Sequence, residues 1–299
     1  MSVEIEPTVQ QVVRGTTPTL SVEFYVDGVL ADPGVTTVSV VGLDGSAIVT
    51  DAATSGTGAV ARTYTLAGPL ADLGVLTVTW QSATYGTLTQ TVEVVGDLLF
   101  SLREARRYDG GAMANTSSYP AAMLEQARVR IAEDFERICG VAFMPRVRQV
   151  DVGVYVSRQL LLPDLRVLAV RSIETRAAHE TAWTAIDSGD LAAVRILPGG
   201  VLGLSSAVPY GHASARVTYE HGWERVPEEI RRAALMVLRH TTVPDDIGPR
   251  VTSFTGEMGT TAYSTAGRVT NPWSAFTYYG IPPVDATLAR YTERVPAVG

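Results

Sequence analysis

The chain has 299 residues, 46% of them hydrophobic, with a net charge of −7, which is room for about two domains of roughly 100–200 residues each. No run of about 18 apolar residues occurs, so no membrane-spanning helix is expected. The N-terminus also lacks the basic start and apolar stretch of a secretory signal. The single cysteine, Cys139, forms no disulfide within the chain and reads as a small buried apolar residue. Residues 1–97 carry ten acids and two arginines (−8), and residues 98–299 carry twenty-one acids and twenty-two arginines (+1), which together give −7. All 24 basic residues are arginine. A protein that grips duplex DNA concentrates positive charge, and neither half does.

From residue 3 to 95 no helical period is present. Residues 19–26 place Leu20, Val22, Phe24 and Val26 on one face. Leu76, Val78 and Trp80 alternate in the same way, as do Leu88, Val92 and Val94, where Gln90 breaks the pattern. Asp27-Gly28, Asp32-Pro33-Gly34 and Asp44-Gly45 mark turns. Seven or eight such strands predict an all-β sandwich of immunoglobulin-like type over 1–97. It serves either as a spacer or as a ligand-binding module.

Ser101 and Glu104 form a capping box that opens a short helix ending near Asp109-Gly110-Gly111. Pro120 opens a second helix running to about Cys139, with Leu124, Ala127, Ile131, Phe135 and Ile138 as its stripe, Glu133 paired with Arg137, and Gly140 beyond its end. A small β-section follows over 146–222, with strands near 146–156, 165–173, 191–197 and 214–220. Arg146 and Arg148 read there as a solvated edge. The clearest helix comes next, over 227–243. Pro227, Glu228 and Glu229 start it, Arg239 and His240 sit in its last turn, and Pro244 stops it. Its apolar face is Ile230, Ala233, Ala234, Val237, Leu238 and Thr241. Leu235 and Met236 lie off that face, beside Arg231, Arg232 and Arg239, which predicts cover on a second side. The chain from 98 to 244 thus reads as an α+β domain with a helical core and a small inserted β-section.

Residues 245–299 form an extended arm and a last short helix, 285–293. The arm holds Phe254, Tyr263, Trp273, Phe276, Tyr278 and Tyr279, more aromatics than a disordered segment carries. It is ordered either against a neighbouring subunit or by folding back on its own domain. Arg290 and Arg294 lie on the exposed side of the last helix.

Catalytic spacings are missing: there is no HExxH, GxSxG, GxxxxGK[ST] or CxxC. His179, His212, His221 and His240 are scattered. His212 and His221 flank one strand beside Glu220 without a third ligand at matching spacing. No enzyme, cofactor or metal is therefore expected.

The order SLREARRYD, then ERICGVAF, LPDLRVLAVRSI, VTYEHGWERVPEEIRRAALMVLRH and finally DATLARYTERV resembles the head–tail connector (head-completion or adaptor) proteins of tailed bacteriophages. The added N-terminal sandwich departs from the minimal pattern. The resemblance implies a structural virion protein at the capsid–tail neck, assembled in the host cytoplasm. Its copies, commonly twelve, would form a ring below the portal that extends the DNA channel without sequence-specific binding and presents a surface to tail or neck proteins. Arg231, Arg232, Leu235, Met236, Arg239, the six arm aromatics, Arg290 and Arg294 are then the candidate subunit and portal interface. Deletion of residues 1–97 is expected to leave ring assembly intact. The rival reading is a tail- or neck-associated adhesin whose sandwich binds a host-surface glycan, and a third is a capsid-associated decoration.

Overall fold

Short strands separated by turns fill the first 95 residues. The computed structural model describes residues 3–7, 11–156, 158–177, 180–208, 211–243, 253–256, 259–262 and 278–292. Among them, β1 (Val3–Pro7), β3 (Thr19–Val26), β4 (Val29–Leu30) and β7 (Arg62–Thr65) make one sheet. A second sheet runs in the order β2 (Gln11–Val13), β9 (Gly86–Val95), β8 (Gly74–Ser82), β5 (Thr36–Val41), β6 (Ala47–Ala53). Leu20, Val22 and Phe24 of the first sheet share one core with Val38, Val40, Leu76, Val78, Trp80, Val92 and Val94 of the second. Most of the expected alternation is therefore buried, although Val26 and Leu88 are only half-buried, and the module is a two-sheet sandwich.

Gln90, the break in that alternation, points inward. It pairs across from Val78, beside the Trp80–Leu88 pair, and is 6% exposed. Neither its amide nitrogen nor its oxygen has a partner, nor does the indole N–H of Trp80. An unsatisfied buried amide costs about 1–3 kcal/mol. Gln90→Leu is therefore expected to stabilise the protein by about 1 kcal/mol in urea unfolding, with Gln90→Met similar.

Next come α1 (Leu102–Arg107), a 3-10 turn at Asp109–Gly111, and α2 (Ala121–Cys139). The capping box is present in full: Ser101 Oγ accepts from the Glu104 amide, and the Glu104 carboxylate accepts from the Ser101 amide at 2.7 Å. The stripe of α2 departs from the expected one. Leu124, Ile131 and Phe135 are buried in it, but so are Ala132, Cys139 and Arg128, whereas Ala127 and Ile138 are half-buried. The Arg128 guanidinium donates to the Phe100 carbonyl at 3.3 Å, and burial lowers its pKa. Arg137 pairs with Asp134 rather than with Glu133. Cys139 is buried and donates to the Leu288 carbonyl, and burial pushes its thiol up to about 11.

The β-section is richer than expected. Strands β10 (Arg146–Val154), β11 (Gln159–Leu161), β12 (Val167–Thr175) and β13 (Thr184–Ala185) precede α3 (Ser188–Ala192). Strands β14 (Arg195–Leu197), β15 (Val201–Gly203) and β16 (Gly211–His221) follow it. They form two sheets, β10-β16-β12-β13 and β11-β15-β14, around a shared core that includes Val152, Leu160, Ile173, Leu202, Val217 and Tyr219. Then come α4 (Glu228–Thr242), a small hairpin of β17 (Ser253–Gly256) and β18 (Gly259–Ala262), and α5 (Pro282–Tyr291). Among the described residues no helix is long and apolar enough to cross a membrane.

The compact units cut the chain differently from the expected boundaries at 97 and 244. One unit joins Met1–Leu98 to Gly140–Val226, and the other joins Leu99–Cys139 to Pro227–Thr292. The physical reason lies in three ties within the first unit. Arg146 clamps Glu93 with two hydrogen bonds at 2.6 and 2.7 Å. Arg171 donates to the Leu73 carbonyl at 2.6 Å while also holding Glu220. The Gly96 amide donates to the Pro145 carbonyl at 2.9 Å. Arg146, 18% exposed, is thus no solvated edge, although Arg148, 47% exposed and paired with Asp164, is nearer to one.

Candidate interaction surface

The candidate residues that the structure describes with side chains all belong to the helical unit. There α4 packs on α2 and α5, and α1 packs on α2. Ile230, Ala233, Ala234, Val237 and Leu238 are buried as the spacing requires. Thr241 is not part of that stripe: it is exposed and its hydroxyl bonds back to the Val237 and Leu238 carbonyls. Leu235 departs more sharply from expectation. It is already buried within one copy, at 9% exposure, so it offers no free apolar face. Met236 is half-buried and Arg232 exposed.

The candidate arginines are mostly engaged inside the unit. Arg231 donates to Glu104 at 3.1 Å, Arg239 to Asp109 at 2.8 Å, and Arg290 lies 2.9 Å from Glu229. Acids on or just after α1 thus hold α4, and an acid in the first turn of α4 holds α5. Guanidiniums stapled in this way are not presented as a row for phosphates. Glu104 serves twice, as capping acid and as partner of Arg231. Burial pushes its pKa up, but hydrogen bonds from Ser101 and Arg231 outweigh that and hold the carboxyl below its ordinary 4.5. Its contribution is therefore complete above about pH 4.5 and is lost as pH falls through the lowered folded value. Glu104→Gln is expected to cost about 1 kcal/mol at pH 7. That difference should vanish below the folded value in a pH series of melting curves.

Tyr279 is an anchor. Its phenol donates to Asp134 at 3.3 Å, its ring meets Phe135 edge-on at 5.8 Å, and its amide donates to Asp285 at 2.9 Å. Burial raises its phenol pKa. Tyr278 is half-buried. A groove of about 380 Å³ runs beside Tyr279, with Ile131, Ala127 and Val237 among its lining. Of the other candidates, Phe254 is described by its backbone alone, and Tyr263, Trp273, Phe276 and Arg294 lie outside the described residues.

His221 is buried with its Nδ1 3.5 Å from Asp164. Glu220 pairs with Arg171 instead, and the side chain of His212 lies outside the described ones. Asp164 also accepts from the Tyr219 phenol and from Arg148. Sequence reasoning missed Asp164, Glu104, Asp109 and Glu229 as partners. The acid at the capping-box position and the acids in the first turn of α4 were visible, but nothing local names a partner up to 130 residues away.

No family model matches the chain, and no curated protein matches it in sequence. Among solved structures it is similar to a chain in the neck of a native GTA (gene transfer agent) particle computed with C12 symmetry. Identity there is 13% over 68% of this chain and 98% of that one, with a TM-score of 0.39. It is also similar to a chain in the neck of an empty GTA particle computed with C6 symmetry, at 14% identity over 48% and 78% of the two chains and a TM-score of 0.38. A conjugative transposon lipoprotein from Bacteroides eggerthii aligns at 16% identity over 31% and 93%, with a TM-score of 0.19. Overlaps of this extent do not assign a function.

Proposed function

We propose that this chain is a structural virion protein that forms a head-to-tail connector ring below the portal, extends the DNA channel and bridges the capsid to tail or neck proteins. The observation that carries the reading is the gathering of α1, α2, α4 and α5 into one unit, although the β-section interrupts them. That is the order of pieces on which the resemblance to phage connectors rests. Strand β16 runs through the Gly222-Trp223 turn almost directly into α4, as the quoted motif requires. Internally paired arginines suit a wall past which DNA slides, because unpaired cations would hold its phosphates. The ring, with about twelve copies, is a heterologous closed assembly. The immunoglobulin-like sandwich is read as a rigid spacer, a role favoured by the Glu93–Arg146 and Arg171–Leu73 ties.

Particles made without this chain test the reading. The connector role predicts DNA-filled heads that lack tails. Complete tailed particles that fail to adsorb to the host would support the adhesin instead, and complete infectious particles would contradict both.

A further inference from the structure

We draw no further inference here: the strongest candidate, the groove between α2 and α4 beside Tyr279, is lined by Ala127, Ile131 and Val237, but nothing in the structure shows what covers it.

Discussion

Replacing Gly222 with alanine is expected to cost about 3–5 kcal/mol and to leave much of the protein unfolded or insoluble. Gly222 has φ +106°, a region that side chains rarely enter. A Cβ there would sit 2.3 Å from the Met144 carbonyl oxygen and 3.1 Å from that of Ala142. Both are backbone atoms, so no rotamer change relieves the clash. The turn is also held on either side, by Gly222 N–H to the Arg166 carbonyl and Trp223 N–H to the Ala142 carbonyl. Arg166 stacks over the Trp223 ring at 3.8 Å. Opening the turn would break these contacts at the point where β16 ends. Gly28 provides the comparison: its φ is +77° but nothing lies within 4 Å of its Cβ position. Gly28→Asn should cost less than about 1 kcal/mol, because only the backbone preference opposes it. Equal losses at the two positions in urea unfolding would show that the contact at Gly222 is not the cause.

The second large effect is at the Glu93–Arg146 clamp. With side chains 15% and 18% exposed, removing either partner takes the two short hydrogen bonds of the clamp from a mostly dehydrated charge, although Glu93 keeps the bond from the Gln11 amide at 3.1 Å. Arg146→Ala and Glu93→Ala are each expected to cost about 2–4 kcal/mol. The double variant should cost clearly less than the sum, since the pair is lost only once. Additive losses would mean that the two residues act separately. The clamp also changes what deletion of residues 1–97 should do. Without them Arg146 loses Glu93, Arg171 loses the Leu73 carbonyl, and Pro145 loses its contact with Gly96. A fragment that starts at residue 98 should melt well below the full chain, so its failure to assemble would not by itself identify the sandwich as an assembly element.

Much of this architecture is legible in local chemistry. The capping box at Ser101 and Glu104, the ends of α4 and the alternation of Leu20, Val22 and Phe24 need only neighbours a few residues apart. The β-section was harder to read because β11, β14 and β15 are three residues each, too short for a period to show. The grouping of residues 1–98 with 140–226 is not legible for a different reason: the ties that join them span 49 to 98 residues. At the candidate surface the cations were found from sequence, but their partners were not. Leu235 illustrates the limit of a helical wheel, which locates a second apolar side but does not tell whether the same copy covers it. Gln90 is the converse case, where one polar residue in an apolar alternation marked a real defect in the core.

Native mass measurement of the purified chain, alone and mixed with portal protein, tests the connector assignment most directly. A closed ring of about twelve 31.9 kDa copies, formed alone or on the portal, is the predicted species. A chain that stays monomeric across concentrations and remains so with portal present would contradict it.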